Sequence, residues 1–69
     1  MSVLWRLTVC LPDRSTKSMY CATSRDVYNM LRYHGFSHED AANAEGWCDF
    51  SIYGEWYRED DFEIECLEN

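Results

Sequence analysis

The sequence predicts a small α+β domain in which two helices cover one face of a three-stranded antiparallel sheet, in the order ββααβ. Three observations favour this class. Segments near the start and near the end alternate between apolar and polar residues, with the two-residue period of a half-buried strand. Between them, two segments carry helix N-cap signals. Strands grouped apart from helices are typical of α+β layers, and the 69 residues suffice for a single domain spanning 1–69.

The first two strands are predicted to form a hairpin. Over residues 2–11, one face of an extended chain would carry Val3, Trp5, Leu7, Val9 and Leu11. Pro12 cannot donate a hydrogen bond to a sheet, and the residues from Pro12 to Thr16 have turn chemistry throughout. The chain therefore reverses here, and residues 17–22 are predicted as the second strand.

Two helices are predicted next, each beginning at an N-cap residue. Thr23, with Asp26 three positions on, begins a helix over residues 24–34 that ends at Gly35. Ser37, again followed by an aspartate three positions on, begins the second helix. The side chains of the first helix expected to face inward are Val27, Met30 and Leu31.

The sequence leaves the end of the second helix open. Helical spacing of Ala41, Ala44, Cys48 and Ile52 favours a helix to Tyr53, with Gly54 as its stop. The alternation of Cys48, Phe50 and Ile52 favours instead a helix ended by Gly46 and a strand over 47–53. We expect the long helix, because a glycine inside a helix costs only about 1 kcal/mol. Residues 55–58 would then be an extended arm leading into the last strand.

The last strand carries the strongest indication of function. From position 61 onward, Asp61, Glu63 and Glu65 alternate with Phe62, Ile64 and Cys66. One face would close the core, and the other would be a row of carboxylates spaced about 6.6 Å apart. Arg6 and Thr8 would share this partly wet face. The strand order is not determined by the sequence, so whether Arg6 neutralises part of the row stays open.

The charge of the chain is divided unevenly along its length. Residues 1–35 hold five basic and two acidic residues, a net charge of +3, whereas residues 36–69 hold Arg58 and eleven acidic residues, a net charge of −10. Such asymmetry predicts attraction to a basic partner surface, and it disfavours direct binding of nucleic acid because phosphates would be repelled. The alternative is a solvated face that keeps a small protein soluble.

No motif for catalysis or metal binding is found. The cysteines at 10, 21, 48 and 66 lack the short spacings of zinc or redox motifs, and there is no phosphate loop or nucleophile elbow. No signal peptide or membrane-spanning stretch is recognised. We therefore expect a cytoplasmic protein with mostly buried, reduced thiols, no cofactor, no metal and no enzymatic activity. Export would instead favour two disulfides.

Aromatic residues lie among the carboxylates of the acidic half, which suits an interface with an arginine-rich partner because rings stack on guanidinium groups. The predicted partner-binding residues are Asp49, Glu55, Trp56, Tyr57, Glu59, Asp60, Asp61, Glu63 and Glu65. The competing prediction is a homodimeric interaction module without any link to nucleic acid. Its interface would be formed by an unpaired sheet edge and the exposed aromatics.

Four short segments carry a resemblance to a known type of protein. They are Gly35-Phe36-Ser37, Glu39-Asp40-Ala41-Ala42, Glu45-Gly46-Trp47-Cys48 and Asp61-Phe62-Glu63-Ile64-Glu65. They resemble small acidic accessory proteins of phages and mobile elements, and the general type of the anti-CRISPR inhibitors. The resemblance implies a stoichiometric inhibitor that occupies a basic nucleic-acid-binding surface on a CRISPR-type nuclease complex. It assigns no role to any individual residue.

Overall fold

The structure, a computed structural model, describes residues 4–68; the predicted strand residues Ser2 and Val3 lie outside this range. Its elements are β1 Trp5–Cys10, β2 Thr16–Cys21, α1 Ser24–Tyr33, α2 His38–Phe50, β3 Trp56–Arg58 and β4 Phe62–Cys66. Over this range the strands form one antiparallel sheet in the order β2-β1-β4-β3. The α+β class is confirmed. The prediction of three strands is wrong, because residues 56–58 form a fourth.

The core lies between the helices and one face of the sheet. Trp5, Leu7 and Val9 of β1 pair in register with Cys66, Ile64 and Phe62 of β4, and all six side chains are buried. The helices contribute Val27, Leu31, Ala41, Ala44 and Cys48 to the same cluster. Burying one large apolar side chain stabilises a fold by about 1.5–3 kcal/mol, so the two central strands supply much of the stability of this small domain.

The first hairpin reverses where the turn chemistry predicts. The Leu11 N–H donates to the Ser15 carbonyl at 2.8 Å, and the Asp13 carboxylate accepts the Ser15 N–H at 3.0 Å. Arg14 takes a left-handed conformation with φ of 72°, which allows the tight reversal. β2 begins at Thr16 and ends at Cys21, one residue earlier at each end than predicted.

Both predicted N-caps are confirmed. The Thr23 hydroxyl accepts the Asp26 N–H at 3.0 Å, and the Ser37 hydroxyl accepts the Asp40 N–H at 3.1 Å. Gly35, with φ of 91°, ends α1, and the next residue's N–H donates back to the Leu31 carbonyl at 3.0 Å. The ring of that residue, Phe36, packs edge-on against Phe62 with centroids 5.0 Å apart. Phe36, between the end of α1 and the start of α2, thus packs this connection against the sheet.

The second helix passes through Gly46 but ends at Phe50, three residues short of the predicted Tyr53. The reason is Ser51, which is extended with ψ of 153°. Its hydroxyl donates to the Cys48 carbonyl at 2.9 Å and accepts the Trp5 indole N–H at 3.0 Å. This contact ties the helix end to β1, and it leaves Ile52 outside the helix and exposed. The predicted helix end at Tyr53 is therefore wrong, and so is the alternative strand over 47–53.

Residues 55–58 were predicted as an extended arm, and residues 56–58 are indeed extended, but they form the strand β3 of the sheet. Trp56, Tyr57 and Arg58 pair antiparallel with Glu65, Ile64 and Glu63 of β4. A tight turn before β3 is held by the Gly54 N–H, which donates to the Cys66 carbonyl at 2.9 Å, and by the Cys66 N–H, which donates to the Glu55 carbonyl at 2.9 Å. β3 and β4 thus form a second hairpin, which lies beside the first in the sheet.

Candidate functional site

The sheet face opposite the helices carries two rows of side chains across all four strands. One row runs Tyr20, Arg6, Glu65 and Trp56; the next runs Ser18, Thr8, Glu63 and Arg58. We call this surface the open face. Successive side chains point to opposite faces of a strand. Because Leu7 and Ile64 are buried under the helices, the residues on either side of them in β1 and β4 lie on the open face. The predicted grouping of Arg6, Thr8, Glu63 and Glu65 on the wet face is confirmed.

The carboxylate row of β4 is paired with arginines. Arg6 forms an ion pair and a hydrogen bond with Glu65, and Arg58 Nε lies 3.4 Å from Glu63 Oε2. The first pair answers the open question of strand order: β1 lies beside β4, so Arg6 does neutralise part of the row. Because both pairs are partly exposed, each contributes at most about 1 kcal/mol to stability. Their main effect is to cancel the charge of Glu63 and Glu65.

Arg58 also covers an aromatic ring. Its guanidinium carbon lies 4.6 Å from the ring centroid of Trp56, which is 41% exposed. The guanidinium therefore contacts both a carboxylate and an indole of the open face. This geometry is a stacked arginine contact, the kind that the aromatic and acidic residues of this half were predicted to offer to a partner.

Free negative charge is concentrated in the acidic turn, which we define as Glu59, Asp60 and Asp61. These residues join β3 to β4 and are exposed. The Glu59 N–H donates to the Phe62 carbonyl at 2.9 Å, and the Asp61 carbonyl accepts the Cys10 N–H at 2.8 Å, so the backbone is anchored to the sheet. Within residues 4–68, none of the three carboxylates forms an ion pair.

The acidic turn stands between two hollows. A groove of about 460 Å³ lies beside it and is lined by Thr8, Val9, Cys10, Thr16, Arg58, Phe62, Glu63 and the acidic turn. A smaller hollow of about 160 Å³ on its other side is lined by Phe36, Asp40, Phe62 and the acidic turn. Asp40 in the first turn of α2 thus extends the acidic surface beyond the turn itself.

The pKa of Tyr57 is raised in part by acidic residues that line this smaller hollow. Burial raises the pKa of Tyr57, and the negative charges of Glu59 and Asp40 raise it further. The Tyr57 ring itself packs between Trp47, with centroids 5.6 Å apart, and Phe62, at 6.0 Å. Tyr57 is therefore a supporting residue under α2, and its ring is not a free contact surface.

The opposite end of β3 carries an exposed apolar tip, defined as Phe50, Ile52 and Tyr53. The exposed fractions of these side chains are 89%, 55% and 73%. Asp49 precedes the tip in the chain and Glu55 follows it. The Glu55 carboxylate accepts the Ile52 N–H at 3.0 Å, which ties it to the backbone of the tip.

All but one of the predicted partner-binding residues thus fall into three groups. Trp56, Glu63 and Glu65 lie on the open face, and the acidic turn follows β3. Asp49 and Glu55 flank the apolar tip in the chain. Tyr57, in the middle of β3, belongs to none of these surfaces, because its ring packs against Trp47 and Phe62. Asp40 belongs to the acidic half but not to the predicted partner-binding residues, and Arg58 was not predicted to take part in the site. Arg58 could have been found from the two strand-favouring aromatic residues that precede it and the polar turn that follows, because a strand run ending at a polar turn is a hairpin signal.

The cysteines are free, with Cys10 exposed and Cys21, Cys48 and Cys66 buried. Burial raises the pKa of the Cys21 thiol to about 11 and that of Cys48 to about 12. Within the described range, no group of three or more histidine, cysteine or acidic side chains is arranged to hold a metal ion. Nor does any helix between residues 4 and 68 have the length and apolar character needed to cross a membrane.

In comparisons with known proteins, the chain matches no protein-family model, no curated protein and no solved structure.

Proposed function

We propose that this protein is a small acidic binding protein that inhibits or modulates a basic, nucleic-acid-binding partner, such as a CRISPR-type nuclease complex. The observation that carries the proposal is the acidic turn. It presents three consecutive carboxylates on an anchored backbone, without ion-pair partners among the described residues, and with Asp40 across a hollow. Carboxylates form charge-assisted hydrogen bonds with the lysine and arginine side chains that otherwise bind phosphates.

The arrangement of the sheet supports this proposal. The strands of the basic half, β2 and β1, lie on one side, and the strands of the acidic half, β4 and β3, lie on the other. Across the sheet, the division of charge along the sequence is therefore kept, with the acidic turn on the β4-β3 side. A basic partner would be attracted to the β4-β3 side and oriented by the field of the whole molecule, which raises association rates more than it raises affinity.

The structure changes which carboxylates we expect to matter most. Glu63 and Glu65 are already paired with Arg58 and Arg6, so a partner would have to displace an arginine to reach either of them. The acidic turn needs no such displacement. We therefore propose the acidic turn and Asp40 as the primary contact, with Glu63, Glu65 and Trp56 flanking it on the open face.

The test is capture of partners from bacterial lysate on the immobilised protein at low salt, followed by elution in salt steps and identification by mass spectrometry. The expected result is a nucleic-acid-binding protein that elutes at moderate salt and is displaced by added DNA or RNA. Asp60→Asn and Asp61→Asn should each weaken its retention several-fold.

Asp26→Asn is the matched control, because it removes one negative charge from an exposed residue of α1 in the basic half. Equal loss of retention in the control and the acidic-turn variants would show that only net charge matters. Retention that is unchanged by salt, or that competing nucleic acid does not affect, would contradict the proposed mimicry.

A further inference from the structure

The apolar tip is the part of the surface that the proposed function leaves unexplained. Among residues 4–68, six large hydrophobic side chains are exposed, and four of them lie within residues 50–56: Phe50, Ile52, Tyr53 and Trp56. The other two, Tyr20 and Tyr33, lie on β2 and α1. Single exposed apolar side chains are ordinary, whereas four within seven residues indicate a candidate interaction site.

The tip is held in place by hydrogen bonds, so its exposure does not arise from an unrestrained loop. The Glu55 N–H donates to the Ile52 carbonyl at 3.1 Å, and the Glu55 carboxylate accepts the Ile52 N–H. The Gly54 N–H donates to β4. Because the backbone is already ordered, binding through the tip would lose little conformational entropy.

The charges beside the tip indicate what kind of group it suits. Asp49 and Glu55 flank it in the chain, and neither forms an ion pair within the described range. Exposed rings and carboxylates within one short segment complement a guanidinium, which stacks on rings and binds carboxylates through two parallel hydrogen bonds. An ammonium is more strongly hydrated and lacks the planar face.

Two arginines of the protein itself stack on aromatic rings. The Arg58 guanidinium carbon lies 4.6 Å from the Trp56 ring centroid, and the Arg25 guanidinium carbon lies 4.6 Å from the Tyr28 ring centroid. Each of these arginines also forms an ion pair, Arg58 with Glu63 and Arg25 with Glu45. The combination of ring and carboxylate on one guanidinium therefore occurs twice within the chain itself.

We propose that the apolar tip, with Asp49 and Glu55, is an arginine-selective contact, so that the partner segment seated there is rich in arginine and not in lysine. This inference rests on the proposed function, because it names the side chain by which the same basic partner is recognised. It adds a second anchor at the far end of β3 from the acidic turn. The acidic turn attracts either basic side chain, and the tip discriminates between them.

The test compares binding of two synthetic probes, oligoarginine and oligolysine of equal length and charge, by isothermal titration at low salt. The wild-type protein should bind oligoarginine about fivefold more tightly than oligolysine, the ratio expected from exposed cation–π contacts. Phe50→Ser and Tyr53→Ser should each reduce this ratio towards one while leaving oligolysine binding unchanged. Tyr33→Ser is the matched control, since Tyr33 is 79% exposed on α1 and should leave the ratio intact.

The outcomes separate this inference from the proposed function. Equal binding of both probes by the wild-type protein overturns arginine selectivity and leaves acidic binding standing. A preference that survives in both tip variants overturns the role of the tip, because the carboxylates alone would then account for it. Binding of neither probe overturns the proposed function and the inference together. Melting curves of the variants confirm folding, and Asp49→Asn, which leaves every ring in place, tests the same contact independently.

Discussion

At the scale of single residues, two glycines of the helical layer have different backbone requirements. Gly35 has φ of 91°, which an L-residue with a side chain adopts only with strain, whereas Gly46 lies inside α2. A Cβ added at either position would meet nothing within 4 Å. Substitution by alanine therefore tests the backbone alone at both sites.

We expect Gly46→Ala to raise the free energy of unfolding by about 1 kcal/mol, because alanine is the better helix former. Gly35→Ala should lower it by about 1–2 kcal/mol, because the left-handed stop of α1 becomes strained. Urea denaturation measures both variants against the wild-type protein. A Gly46→Ala variant that is less stable than wild type would contradict the helical assignment at that position.

The buried thiols predict a loss of stability in alkali. In the unfolded chain a cysteine ionises near its ordinary pKa of 9.0, but in the folded protein the pKa is about 11 for Cys21 and about 12 for Cys48, mainly because of burial. Above pH 9 the unfolded state therefore binds fewer protons than the folded state. The free energy of unfolding should fall from pH 9 to 11, by at most about 1.4 kcal/mol per pH unit for each thiol.

Denaturation at a series of pH values checks this, with Cys48→Ala as the informative variant and Cys10→Ser as the control. Cys48→Ala should flatten the alkaline fall, whereas removal of the exposed Cys10 thiol should leave it unchanged. Identical slopes in the wild-type protein and Cys48→Ala would show that the fall comes from other groups, such as Tyr57.

At the scale of elements, local signals were enough to predict some boundaries and not others. The start of α1, and the stop at Gly35, follow from contacts within a few residues: the Thr23 cap and the backbone bond to Leu31. The end of α2 depends instead on the bond from Trp5 to Ser51, which joins residues far apart in sequence. Helical spacing at Ile52 could not reveal that contact, so the predicted helix was too long.

Ser51→Ala should destabilise the protein by about 1–3 kcal/mol, because the buried Trp5 indole N–H loses its acceptor and the Cys48 carbonyl loses one of its two donors. Thermal or chemical denaturation measures the loss. The comparison is Ser18→Ala, which breaks the exposed hydroxyl pair with Thr8 and should change stability by less than about 0.5 kcal/mol. Equal effects of the two substitutions would remove Ser51 as the anchor of the helix end.

The edge strands are built in a way that opposes self-association. β3 has three residues, and β2 carries Lys17 opposite Val9, so a charge lies on the face that is otherwise apolar. Short edges and inward charges are common devices against edge-to-edge pairing. The homodimer remains a prediction that the structure does not test, but these features favour a monomer.

Lys17→Val should therefore promote self-association through β2, which sedimentation velocity at micromolar concentration would detect as a shift from monomer to larger species. Lys17→Arg retains the charge and should behave as the wild-type protein does. A wild-type protein that is already dimeric would contradict this account of the β2 edge and favour the homodimeric module.

At the scale of the whole molecule, the charge asymmetry was predictable because it needs no fold. Residues 36–69 contain eleven acidic residues and a single basic one, Arg58, so this half is acidic in any fold that it adopts. The pairing of Glu65 with Arg6 was not predictable, since it depends on β1 lying beside β4. The exposure of Phe50 and Ile52 likewise depends on where α2 ends.

This concentration of like charge should make stability depend on salt. Raising ionic strength from about 0.01 M to about 0.15 M shortens the Debye length from about 30 Å to about 8 Å, which screens repulsion within the acidic half. The melting temperature should rise by about 4 °C for each 0.5–1 kcal/mol of relieved repulsion. Asp60→Asn/Asp61→Asn should show a smaller rise in calorimetry, and an equal rise would locate the repulsion elsewhere.

The central pair of the sheet consists of the first and last elements of the described chain, since Trp5 of β1 pairs with Cys66 of β4. The residues of the first hairpin and of both helices are therefore synthesised before the strand that completes their core. Folding must then close a loop that spans nearly the whole described chain, which slows the rate-limiting step relative to a helical protein of this size. Until β4 arrives, one side of β1 is an unpaired edge beside an incomplete core, and the newly made chain is most prone to aggregate at that stage.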